Sequence, residues 1–183
     1  MENKENRISL LQELRTDVAE KQKKGLHFIA ASVILWLIIA MIHASSMPIT
    51  TKNLYTFCCS ALLIPLAYFI SKLTGIDFQN KENPLTVLGI IFTINQMLYI
   101  LIAMRVYAVS PDKFLMVYAM IFGAHLLPYG WLYQSKTYYI LSVIIPVAML
   151  LVGLNCSTAT VAVLMLFMEV IFCICLNVEN RQN

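Results

Sequence analysis

The stretch LHFIAASVILWLIIAMIHA, residues 26–44, runs for nineteen residues without a single Asp, Glu, Lys or Arg. About 20 largely apolar residues are needed for a helix to cross a bilayer. This run meets that length. It is too long for the apolar core of a cleavable signal, and the polar segment ahead of it is too long for a signal's basic head. We therefore expect it to be retained as a first membrane span. Five further segments of the same kind follow, at 54–73, 85–104, 114–133, 138–154 and 158–177. The expected fold is all-α: a polytopic membrane protein with six transmembrane helices and a short N-terminal amphipathic helix.

Composition agrees. The chain of 183 residues is 60% hydrophobic and 13% charged, against about a quarter charged in soluble proteins. Charges gather in residues 1–24, which hold six basic and five acidic side chains, and the net charge of the whole chain is only +3. It fits a segment meeting anionic headgroups and gives no reason to expect nucleic acid as a partner. Ser9 and Gln12 are spaced as a capping box. Ile8, Leu11, Leu14 and Val18 then recur at helical spacing, which predicts an amphipathic helix on the membrane surface or an extension of the first span. The expected organisation is a cytoplasmic basic segment at 1–24, a six-helix membrane domain at 25–178 and a cytoplasmic tail at 179–183.

Orientation follows from Lys and Arg. With six spans, ten of the thirteen fall on the side of the termini, and only Lys52, Arg105 and Lys113 on the other. Both termini are expected in the cytoplasm. Tyr129, Trp131, Tyr133, Tyr138 and Tyr139 then fall where an interfacial aromatic belt is expected. The cysteines show no metal-binding spacing, and Cys173 and Cys175 read as small apolar residues in a span. A disulfide from Cys58 or Cys59 to Cys156 has no support in the pattern. No cofactor and no metal site is expected.

Proline divides the chain in an ordered way. Pro65 in LLIPLA and Pro146 in VIIPVA sit mid-span in spans two and five, equivalent positions if the chain is two halves of three. Proline removes a helix hydrogen bond and bends the helix. Matching interruptions in two halves of opposite topology point to a 3+3 inverted repeat of the transporter type. Chance is the competing explanation. Pro128 is a third bending point, and it leaves the carbonyl of Ala124 without its usual donor, beside His125.

A few polar side chains fall near the middle of spans. Glu169 is central in span six, where a charge costs about 2.5–3.5 kcal/mol on insertion scales. It must face protein or water, be paired, or be neutral. It is the expected proton or cation site, with a structural interhelical hydrogen bond as the alternative. His125 shares a helical face with Tyr118 and Tyr129, a candidate pocket wall or simply a hydrogen-bonded core histidine. Asn95 and Gln96 are central in span three with Tyr99 one turn on. Gln96 and Tyr99 are candidate contacts, and Asn95 reads first as interhelical glue.

The run Glu20-Lys21-Gln22-Lys23-Lys24-Gly25 entering residues 26–44, together with the segment from His125 to Tyr133, resembles a family of small bacterial membrane proteins of unknown function, over most of the chain. The resemblance implies a bacterial inner-membrane setting and no mechanism. Three functions remain in view. The first is a proton- or cation-coupled transporter-like homo-oligomer taking a small molecule or ion, with Glu169 as its coupling site and His125, Tyr129 and Gln96 as contacts. The second is a non-catalytic membrane subunit whose midplane polar residues are interhelical bonds. The third is an intramembrane enzyme on a lipid-like substrate, which needs Glu169 and His125 within direct reach or one water of each other and lacks a recognisable nucleophile.

Overall fold

The computed structural model describes residues 2–182, with side chains from residue 4 onward. It is helical, with no strand among the described residues. Helix α1 spans Glu2–Lys21, α2 Leu26–Ala44, α3 Ile49–Ser60, α4 Leu63–Thr74 and α5 Leu85–Val109. Then come α6 at Pro111–Ala124, α7 at Leu127–Leu132, α8 at Lys136–Asn155 and α9 at Thr158–Gln182. Five helical segments are long and apolar enough to cross a membrane. Helices α3 and α4, bent by 43° at their junction, pass the same test only together and make a sixth span if the pair crosses as one.

The apolar spans bury their fullest faces on each other. Helices α2 and α9 share the most extensive contact, α6 and α8 the next, and α9 also packs on α6 and α8. Trp36, Phe114, Ile145, Met149, Met165 and Phe172 are buried between them. Trp36 is fully packed, edge-on to the ring of Phe122 at 5.7 Å. Helix α4 packs on α2, while α5 lies outside against α6 and α7.

The interruptions do not fall where the proline pattern predicts. Pro65 lies in the first turn of α4, just after the break at 61–62, and Pro128 lies in the first turn of α7, just after the break at 125–126. Both positions follow from the missing N–H, which leaves the carbonyls of Ala61 and Ala124 without their helical donors. Pro146 sits inside α8, which continues unbroken. The broken spans are thus two and four, and the expected match of spans two and five is absent from the helix breaks. A close approach accompanies Pro146. A Cβ on Gly123 would lie 2.5 Å from Ile145 Cγ2 and 3.0 Å from Pro146 Cδ, so only glycine lets α6 meet α8 there.

Helix α1 is not an extension of α2. Lys23, Lys24 and Gly25 all have positive φ, which turns the chain sharply between the two helices. The capping box at Ser9 is not formed either, because α1 begins upstream and Ser9 Oγ donates to the carbonyl of Asn6 at 3.0 Å. The C-terminal half of α1 docks on the bundle through buried Val18 and Ala19, while Ile8, Leu10 and Leu11 stay exposed. Asp17 is the clasp. It pairs with Lys21 at 2.9 Å and accepts from Asn83 Nδ2 at 2.7 Å and from Asn80 Nδ2, which ties α1 to the 75–84 loop. Arg15 adds a second tie, donating from Nε to the carbonyl of Trp131 at 2.9 Å with its guanidinium 4.5 Å over the indole.

The aromatic cluster is largely internal rather than an interfacial belt. Tyr133 and Tyr138 are buried, and Tyr129 stacks on Tyr133 at 5.9 Å. Only Trp131 and Tyr139 stand outward. All five cysteines are free thiols.

Two outcomes are expected. Gly123→Val should lower the stability of the detergent-solubilised protein by about 1–3 kcal/mol, read by reversible denaturant unfolding. The hydrogen bond from Asn83, and then the Lys21 pair, hold the Asp17 carboxyl below the ordinary carboxylate range. A group with a depressed folded-state pKa stabilises at neutral pH and loses that contribution as pH falls through its folded value. Hydrogen exchange in α1 should therefore rise only below the ordinary carboxylate range, and Asp17→Asn should raise it at neutral pH.

Candidate functional site

Span six is apolar on every face, so its single carboxyl must be satisfied from within the bundle. Glu169 faces α2 and is fully buried. There Ser32, itself 1% exposed, is hydrogen-bonded to Glu169 Oε2. The same hydroxyl lies 2.8 Å from the carbonyl of Ile29. One hydroxyl proton cannot serve both acceptors. If Glu169 is protonated, its O–H donates to Ser32 Oγ and leaves the Ser32 proton for Ile29. The other carboxyl oxygen, Oε1, is buried with no hydrogen-bond partner among the described residues. This serine on α2 was not among the residues that span-by-span reading selects. Its only sequence signal is that it is the one hydroxyl inside residues 26–44.

The other midplane residues attach to different partners. His125 occupies the α6–α7 break, edge-on to Phe122 at 5.5 Å and to Tyr129 at 6.2 Å, with Nδ1 buried and unpartnered. The Tyr129 hydroxyl lies 2.9 Å from Thr93 Oγ1 and donates to the carbonyl of Gly89 at 3.0 Å, which braces α7 against α5. Tyr118, on the same face, is bonded to Ser60 of α3 at 2.5 Å. Gln96 is on the buried side of α5. Asn95 donates to Tyr99 one turn along the same helix at 2.9 Å, and both are exposed, so Asn95 does not join two helices within this chain. No hydrogen bond links Glu169, His125 and Gln96 to one another among the described residues. Helices α5 and α9 share no substantial contact.

A larger polar cluster lies at the end of the bundle that carries α1. Glu179, on the last turns of α9, pairs with Lys24 at 3.0 Å. It also accepts from Ser135 Oγ at 2.9 Å, Thr137 Oγ1 at 2.6 Å and Thr137 N at 3.3 Å. Asn180 Nδ2 donates to the carbonyl of Lys23 at 2.9 Å, and Tyr138 O–H to that of Lys24, also at 2.9 Å. Gly25 is required here, because its φ is +73° and a Cβ would meet Tyr138 and Tyr133 at 3.1–3.2 Å. One carboxylate thus joins the α1–α2 turn, the α7–α8 turn and the end of α9. From sequence, Lys24 reads as one of a run of surface lysines and Glu179 as part of a tail. The signal that could have found them is a glycine directly after two lysines, marking a turn rather than a helix. His27, buried with both ring nitrogens unpartnered, is a further core histidine at this end of α2.

At the opposite end, lysines cap helices. Lys52 Nζ donates to the carbonyl of His43 at 3.1 Å at the end of α2, and Lys113 Nζ to the carbonyls of Gly153 and Leu154 at 2.9 and 3.2 Å at the end of α8. Cations are favoured there by the unpaired carbonyls and the helix dipole. Asn53, buried, donates to the carbonyl of Pro111 at 2.8 Å, and His43 Nε2 meets Thr56 Oγ1 at 3.1 Å.

A family model described as a family of unknown function, DUF7010, matches residues 11–179, and the chain belongs to that family. No curated protein and no solved structure matches it.

Breaking these two polar contacts should have different consequences. Ser32→Ala should destabilise the bundle by about 1 kcal/mol, the scale of an interhelical hydrogen bond in a membrane. Lys24→Met should cost about 3 kcal/mol, because it leaves a mostly buried carboxylate with neutral donors only. Unfolding in mixed detergent micelles measures both, and equal effects would contradict the assignment.

Proposed function

We propose that this member of the DUF7010 family is a non-catalytic membrane subunit, a scaffold whose polar midplane groups hold its own helices together and whose outer face meets a partner in the bilayer. One observation carries this reading. Glu169 with Ser32, Tyr129 with Gly89 and Thr93, and Tyr118 with Ser60 are separate ties between different helix pairs. In hydrocarbon, such bonds are the glue of helix bundles.

The partner surface in this reading is the outer face of α5, and the occupant is a second copy of the chain. Ile91, Ile94, Leu98, Leu101 and Ile102 make that face apolar, and Asn95 and Tyr99 are exposed in its middle. Asn95 donates to Tyr99 and leaves its carbonyl oxygen free. A carboxamide is both donor and acceptor, so two copies related by a twofold axis satisfy each other. The setting proposed is a bacterial inner membrane with both termini in the cytoplasm, in keeping with the ten-to-three division of Lys and Arg. Two of the three on the far side, Lys52 and Lys113, are engaged as helix caps.

A second reading, a proton- or cation-coupled carrier, draws on the unpartnered Oε1 of Glu169 and on the breaks in spans two and four. Proteoliposomes loaded with a pH-sensitive dye under an imposed potential separate the two. The scaffold reading expects wild type and Glu169→Gln to leak no faster than empty vesicles. A wild-type flux that Glu169→Gln removes overturns it in favour of the carrier. Asn95→Leu should shift the protein from oligomer to monomer in single-molecule photobleaching, with its helix content unchanged.

A further inference from the structure

Helix α4 lines two recesses, which open on neighbouring faces of the helix. The first, a cleft of about 340 Å³, opens where α4 ends and the 75–84 loop begins, lined by Tyr68, Lys72, Asp77, Phe78, Gln79 and Lys81 among others. The second, a groove of about 330 Å³, lies deeper between α2 and α4, lined by Ile34, Ile38, Leu62, Pro65, Leu66 and Phe69 with Leu35. Tyr68 belongs to the cleft and Phe69 to the groove. From Leu62 to Phe69 the groove runs about 10 Å along the helix, at 1.5 Å per residue.

Chemistry changes sharply between them. The groove is lined by apolar side chains and lies beside the break at 61–62, where α3 and α4 bend by 43°. The cleft is at the basic end of the bundle, the end that carries α1. Lys72 and Lys81 are exposed, and neither has a salt-bridge partner among the described residues. Lys72 Nζ is held 5.4 Å over the ring of Tyr68. The acid in the cleft, Asp77, is exposed and accepts the backbone N–H of Gln79 on one carboxylate oxygen at 3.1 Å. The neighbouring acids Asp17 and Glu82 face Lys21, at 2.9 and 3.9 Å. Phe78 wedges between Phe28, His27 and Tyr68 and anchors the loop that carries Lys81.

We propose that these recesses are one binding site for an anionic phospholipid, with the headgroup phosphate between Lys72 and Lys81 and an acyl chain in the groove against Leu66 and Phe69. A phosphate there meets two ammonium groups that have no salt-bridge partner among the described residues, and basic pockets beside membrane helices have that use. On the neighbouring face of α4, a lipid chain covers the apolar lining of the groove. A free phosphate would use only the cleft.

Native mass spectrometry of the full, delipidated chain tests the site with dioleoyl phosphatidylglycerol. The wild type should retain one lipid. Combined Lys72→Gln and Lys81→Gln should weaken retention by about thirtyfold, two lysines at the usual worth of a basic residue near anionic lipid. Leu66→Trp, which fills the groove and leaves both lysines, should weaken it as well. Combined Lys4→Gln and Arg7→Gln, an equal loss of charge from the exposed half of α1, should change nothing. Dioleoyl phosphatidylcholine and glycerol 3-phosphate should not be retained. The site is refuted if phosphatidylcholine binds equally, if the α1 variant loses as much as the cleft variant, or if Leu66→Trp binds like wild type. Retention of glycerol 3-phosphate at phosphatidylglycerol strength would mean a free-phosphate site and refute the lipid.

Discussion

A carboxyl group at mid-bilayer has no water to bond, so the protein itself must supply what satisfies it. Glu169 imposes this on the last span, and Ser32 on the first span answers it. That pairing brings the two ends of the chain together across the most extensive helix contact in the molecule. The remaining spans arrange themselves around it: α8 beside α9, α6 against α8, and α3–α4 along α2. Helix α5 is left outside, with its apolar face uncovered.

The same logic governs the ends of the bundle, where polar groups close the structure instead of the bilayer. At one end Glu179 accepts from Lys24, Ser135 and Thr137, joining three segments distant in sequence. At the other, Lys52 and Lys113 cover the last carbonyls of α2 and α8. The first and last spans are therefore tied twice, once at mid-depth by Ser32 and Glu169 and once near the surface by Lys24 and Glu179. Helix α1 docks at the same end of the bundle, against α5 and α7, and is held by Asp17 and Arg15.

The spans were legible because hydropathy over twenty residues is a bulk property that packing does not alter. The importance of Glu169 was legible for the same reason, since a lone carboxylate in an apolar run is conspicuous wherever its partner lies. Its partner was not, because Ser32 is an ordinary residue in a membrane helix and becomes significant only once α2 and α9 are adjacent. Asn95 shows what depth leaves open. Its central position in span three suggests interhelical glue, but depth says nothing about which way a side chain faces, and it faces outward from the bundle. Prolines were read correctly as weak points and wrongly as a matched pair. Pro146 remains inside an intact α8, and Gly123 lets α6 lie against it there. The tyrosines near residue 133 were assigned to an interface by composition, whereas the turn between α7 and α8 folds two of them inward.

The central claim is that the midplane polar groups are dry ties between helices and not a shared, water-reached site. The rate at which the Glu169 carboxyl proton exchanges with heavy water tests this most directly. It is read by infrared spectroscopy as the protonated-carboxyl band missing from Glu169→Gln. The account predicts a band that persists after transfer to heavy water and shifts only as slowly as the amides of α2 and α9 exchange. A band that shifts within the mixing time, or one absent at neutral pH from wild type, would contradict it.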